Sequence, residues 1–131
     1  MRPKQIWANL AVKDVNSTRK FYTALGFKSN EEHDKGQDLT SFLIGDNDFV
    51  VHFFRNEKLK EAMEGEIADL TRGNELLFTV WADSREEADS WAVEVRDAGG
   101  TIFSEPAAFG NGYYGFCFAD PDGHKWNVFH M

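Results

Sequence analysis

The chain has 131 residues and one cysteine, and its 14 Lys and Arg against 22 Asp and Glu give a formal charge of −8, which opposes approach to nucleic-acid phosphates and anionic lipid. This length suits one compact domain, able to bury roughly two-thirds of the surface its unfolded chain exposes without covalent staples. The lone Cys117 reads as a small buried hydrophobe in a reducing cytoplasm, and the longest apolar-leaning run, residues 76–82, is far too short to span a bilayer.

In chain order, residues 5–13 alternate as a strand with Trp7, Asn9 and Ala11 on one face. Asp14 then offers an N-cap, Thr18, Phe21, Tyr22 and Leu25 follow at helical spacing, and Gly26 stands where a left-handed C-terminal residue belongs. The chain returns extended from Phe27. Residues 30–38 are polar and turn-rich, and 39–44 and 49–55 read as strands around Gly45-Asp46-Asn47-Asp48. The first half is therefore β-α-β-β-β.

Residues 57–74 are charge-rich, with Leu59, Met63, Ile67 and Leu70 at helical spacing and Gly65 interrupting them. They read as a connection between halves, either a cover over a site or a plain linker. The second half repeats the first. Residues 75–82 form a strand, Ser84 with Glu87 makes a capping box, and Ala88, Trp91, Ala92, Val95 and Ala98 form a helical stripe ended by Gly99-Gly100. Residues 101–105 give a strand and 106–111 a loop. Two aromatic strands then flank Asp120-Pro121-Asp122-Gly123, a hairpin turn in which Asn127 and Phe129 share one face and Trp126 and Val128 the other. One domain is expected, built of a module over 1–56 and a second over 75–131.

Three stretches carry a resemblance: Leu10-Ala11-Val12-Lys13-Asp14, Phe21-Tyr22-Thr23-Ala24-Leu25-Gly26-Phe27, and the closing hairpin with its Asp-Pro-Asp-Gly-His turn. The chain resembles the vicinal oxygen chelate superfamily of glyoxalase I, bleomycin-resistance proteins and extradiol dioxygenases. With Asn9-Leu10 and Asp83-Ser84-Arg85-Glu86-Glu87 added, it is most similar to the lactoylglutathione lyase-like branch. The resemblance implies an α+β fold of two βαβββ modules, curled mixed sheets forming a half-barrel around a cavity, and a homodimer. Such scaffolds host many functions, so the reaction must be argued from residues.

Metal-using relatives take one ligand from the first and one from the last strand of each half. The resemblance places these positions on Trp7, His52, Glu75 and Asn127. An indole offers no lone pair and an amide carbonyl is a poor substitute for a carboxylate, so no complete four-ligand metal site and no cofactor are expected. His52 and Glu75 are the candidate catalytic pair, with His52 as general base or ligand. Their alternative readings are a cavity-wall histidine with a local hydrogen-bond partner and a solvated carboxylate. Trp7, Asn9, Phe54, Tyr114, Phe116, Asn127 and Phe129 are candidate ligand-binding residues; His33, His124 and His130 read as surface or structural. No GxSxG, phosphate-cradling glycine loop or HExxH motif occurs. The expectation is a small-molecule-binding protein with an aromatic cavity. The alternative is a metal-dependent glyoxalase-like lyase or isomerase using His52 and Glu75.

Overall fold

A computed structural model describes all of residues 1–131. The chain forms two compact units, 1–68 and 69–131. Each is a four-stranded mixed sheet with a helix packed on one face, an α+β architecture in which neither sheet closes into a barrel.

The first unit runs β1 (Trp7–Val12), α1 (Val15–Ala24), β2 (Lys28–Ser29), a 3₁₀ turn (Glu31–His33), β3 (Leu39–Ile44), β4 (Phe49–Arg55) and α2 (Asn56–Met63). Its strand order is β1-β4-β3-β2, with β1 and β4 parallel and the other neighbours antiparallel. Asp14 caps α1 through a 2.9 Å bond from the Asn16 amide, and Gly26 takes the expected positive φ at the other end. Helix α1 turns Val15, Phe21 and Tyr22 onto the sheet, where Tyr22 stacks on Phe53 at 4.7 Å between centroids beside Phe42. Rings buried this fully contribute roughly 1.5–3 kcal/mol each. Helix α2 stops before Gly65: Glu64 adopts φ 52° and ends it, and Leu59 is its buried residue. Because α2 packs on β1 and β4, it belongs to the first unit rather than to a free connection.

The second unit runs β5 (Leu77–Trp81), α3 (Arg85–Ala98), β6 (Thr101–Phe109), β7 (Tyr113–Ala119) and β8 (Lys125–His130), in the order β5-β8-β7-β6. The closing hairpin thus supplies the two central strands. Its turn is organised by Asp120, 4% exposed, whose carboxylate accepts from the Asp122 and His124 amides at 3.0 and 2.9 Å while Gly123 takes φ 99°. Ser84 caps α3 by accepting from the Glu87 amide. Glu87 reaches back to the Asp83 amide, one residue earlier than a standard capping box. Ala88, Ala92 and Val95 face a core of Phe116, Phe118, Trp126 and Val128.

Two expected boundaries move. Residue 75 does not open β5, which starts at Leu77; Glu75 lies exposed in a bend held near the hairpin turn by the Asn74 amide bonding the Gly123 carbonyl. Strand β6 does not stop at Glu105. It continues through Pro106 to Phe109, because an edge strand with register shifts on both sides of Ser104 tolerates a residue without an N–H. No helix is long and apolar enough to cross a membrane.

Candidate functional site

Helix α1 packs on one face of the first sheet and α3 on one face of the second; the opposite face of each is its open face. In the first unit, strand parity puts Trp7, Asn9 and Ala11 of β1 with Val50, His52 and Phe54 of β4 and Leu39, Ser41 and Leu43 of β3 on the open face. Register aligns Asn9, His52 and Ser41 side by side, and the Asn30 amide extends the row by bonding the Ser41 carbonyl at 2.9 Å. A polar row therefore crosses the sheet. Along it, the Asn30 side-chain amide donates to Ser41 Oγ at 3.1 Å, and Ser41 Oγ meets His52 Nδ1 at 2.8 Å. Ser41 is fully buried and His52 half-buried.

Rings surround the imidazole. Trp7 lies edge-on at 6.4 Å, Phe54 at 5.8 Å and the exposed His33 at 5.7 Å between centroids. Burial, and then the neighbouring His33, lower the proton affinity of His52, so the neutral ring is favoured.

The second unit repeats the arrangement in different chemistry. Thr79, Asn127, Cys117 and Ser104 align across its open face. Cys117 Sγ donates to Asn127 Oδ1 and Asn127 Nδ2 donates to Thr79 Oγ1, both at 3.4 Å. Burial pushes the Cys117 thiol above its ordinary value, which keeps it protonated and works against a thiolate nucleophile. One end of this face is aromatic: Phe129 lies 5.2 Å from Tyr113, 6.0 Å from Phe109 and 6.0 Å from Trp81.

The structure sorts the candidates by face. Trp7, Asn9, His52 and Phe54 share the first open face, and Asn127 and Phe129 share the second. Tyr114 and Phe116 do not line either. Even-numbered residues of β7 point to the helix side, where Phe116 is 1% exposed in the core and the Tyr114 hydroxyl bonds Asp89 of α3 at 2.5 Å. Their places on the open face go to Tyr113 and Cys117. Glu75 is also displaced. Asn9 pairs with His52 and Thr79 with Asn127, so the residue matching Trp7, two before Asn9, is Leu77.

Asn30 and Ser41 were not singled out by sequence, and His33 reads there as surface or structural. Ser41 carried a signal, since the turn pairing Ile44 with Phe49 puts Ser41 opposite His52 by counting; His33 depends on how the 3₁₀ turn folds back. His130 is structural as expected, with Nδ1 against the Ala82 carbonyl at 2.8 Å. The donor set at the four strand positions, Trp7, His52, Leu77 and Asn127, does not fit a divalent ion. Two of these offer no donor, and no three His, Cys, Asp or Glu side chains converge anywhere as a metal group.

Comparison with known proteins agrees with the geometry. The model of the glyoxalase/bleomycin resistance protein/dioxygenase superfamily matches residues 4–128. Hypothetical protein SA1046 from S. aureus is 30% identical over 100% of this chain and 96% of its own, with a TM-score of 0.86. A glyoxalase-related enzyme from Fulvimarina pelagi shares the fold at 18% identity, covering 98% of this chain and 89% of its own, with a TM-score of 0.84. Lactoylglutathione lyase from Agrobacterium tumefaciens does so at 18% identity, over 99% and 96%, with a TM-score of 0.71. No curated protein matches the sequence. The chain belongs to the glyoxalase/bleomycin resistance protein/dioxygenase superfamily.

Proposed function

We propose that the chain binds a small organic molecule on the open face of its first sheet, without a complete metal centre. The observation that carries this reading is the polar row through His52, set among Trp7, Phe54 and His33 on the face opposite α1. A half-buried neutral imidazole between rings gives a ligand one directed polar contact and flat apolar surface to stack on, the usual make-up of a small-molecule site. Asn127 with Phe129 provides a similar combination on the second sheet. Water-accessible apolar side chains on both faces also support a homodimer: Trp7, Leu77 and Trp81 are each 50% exposed and Phe109 45%. With one thiol and no disulfide, a reducing compartment such as the cytoplasm fits.

A thermal-shift screen of aromatic and carbonyl-bearing small molecules, run with a chelator present, tests the reading. Several compounds should raise the melting temperature, and the chelator alone should leave it unchanged. A stoichiometric Ni²⁺ or Zn²⁺ that survives dialysis, with melting lowered by the chelator, would replace this reading with a metal-dependent one.

A further inference from the structure

We infer that Asn30 and Ser41 are positioning residues that hold His52 as a hydrogen-bond donor through Nε2, so that the first open face takes ligands carrying an acceptor oxygen, such as a carbonyl. The inference deepens the binding reading above and rests on it.

The polarity of the row follows from proton accounting. Asn30 Nδ2 is a donor, so Ser41 Oγ accepts from it at 3.1 Å. The Ser41 hydroxyl proton then needs an acceptor. The side chain is sealed from solvent, and His52 Nδ1, at 2.8 Å, is the one other group hydrogen-bonded to this oxygen. Were Nδ1 protonated, Ser41 Oγ would accept twice and its own O–H would be left buried without a partner, which is unfavourable. With Nδ1 accepting, the buried Ser41 hydroxyl both accepts and donates. The neutral ring then carries its proton on Nε2, the nitrogen with no protein partner.

Two consequences follow for the site. The bonds run in one direction, Asn30 to Ser41 to His52, and each polarises the next, so the outward N–H is a better donor than an isolated imidazole. The protonated Nε2 has no in-plane lone pair to give a cation. A metal-ligating histidine has the opposite arrangement, with its second nitrogen donating to a carbonyl or carboxylate. Trp7 and Phe54, with ring centroids 6.4 and 5.8 Å from that of His52, put aromatic surface beside the imidazole. A small aromatic ketone satisfies both features.

The test uses the full chain with ¹⁵N-labelled histidine at pH 8, where the ring is neutral, and reads tautomers from long-range ¹H–¹⁵N correlation. Wild-type His52 should show a protonated Nε2 and a bare Nδ1. Asn30→Asp replaces the donor by an acceptor, so the Ser41 hydroxyl should turn toward it and the tautomer should reverse, with the amide spectrum elsewhere unchanged. A wild-type Nδ1–H tautomer, or a tautomer indifferent to Asn30→Asp, overturns the positioning role.

Acetophenone and ethylbenzene, alike in shape but differing in the acceptor, probe the ligand class. Acetophenone should bind about fivefold tighter to wild type, and Ser41→Ala should remove most of that difference. Equal affinities overturn the acceptor assignment. If other screened compounds bind while acetophenone does not, the acceptor assignment fails and small-molecule binding stands. If nothing binds while the tautomers behave as described, the binding reading fails and the positioning role stands.

Discussion

His52 shows how one residue's chemistry is set by its neighbours. Burial first, and the adjacent His33 second, hold its imidazole below the ordinary value of 6.5. The unfolded chain therefore takes up this proton more readily than the folded one. The stability that His52 contributes is intact above pH 6.5 and is lost as the pH falls below it, until the folded ring protonates too. Urea unfolding of wild type and His52→Gln across this window should show a shallower acid decline in the variant. Parallel declines would mean that the ring is not held neutral by the fold. At this scale the sequence was only partly legible. The residue type and strand of His52 and Asn127 could be read directly, as could the face shared by Asn127 and Phe129. Tyr114 and Phe116 were misplaced because register was not carried across the Asp120–Gly123 turn. Ala119 pairs with Lys125 and Cys117 with Asn127, which fixes odd β7 residues on the open face.

Among the elements, caps and turn chemistry gave clear signals, and strand ends did not. Asp14, Ser84, Gly26 and Gly99 stop and start the two long helices where side-chain and backbone rules require. The start of β5 was obscured because Glu75-Leu76-Leu77 alternates acceptably from either residue, and the end of β6 because proline usually marks a loop. Within β7, Gly115 has a role invisible in sequence. A Cβ there would sit 1.9 Å from the backbone carbonyl oxygen of Val128, in the neighbouring central strand. Neither strand has a flexible side-chain end that can give way, so the backbone must move. Gly115→Ala should lower unfolding stability by about 3 kcal/mol, at the upper end of overpacking costs, as measured by denaturant titration. A loss under about 0.5 kcal/mol, the range of neutral surface changes, would show that β7 and β8 separate more easily than this packing implies.

For the molecule as a whole, duplication is the organising fact. Asn9, His52 and Ser41 correspond by register to Thr79, Asn127 and Cys117, so one backbone plan carries two polar rows of different chemistry. The β-α-β-β-β repeat was legible from hydrophobic period and turn residues. The rows were legible only in part: hairpin counting sets Ser41 opposite His52 and Cys117 opposite Asn127, whereas Asn9 and Thr79 join from strands distant in sequence. Exposed Trp7, Leu77, Trp81 and Phe109 lead us to expect a second copy of the chain as cover, and light scattering at micromolar concentration should give twice the 14.9 kDa chain mass. A value of one chain mass would contradict the dimer and leave the open faces to other occupants.

The most direct test of ligand binding at the His52 face is backbone and side-chain ¹H–¹⁵N shift mapping, with chelator present, during titration with the best compound from the thermal-shift screen. Saturable shifts should centre on His52, Ser41, Asn9 and the Trp7 indole, with Phe116 and the rest of the helix-side core still. Shifts confined to helix-side residues, or none until Ni²⁺ or Zn²⁺ replaces the chelator, would contradict metal-free binding at this face.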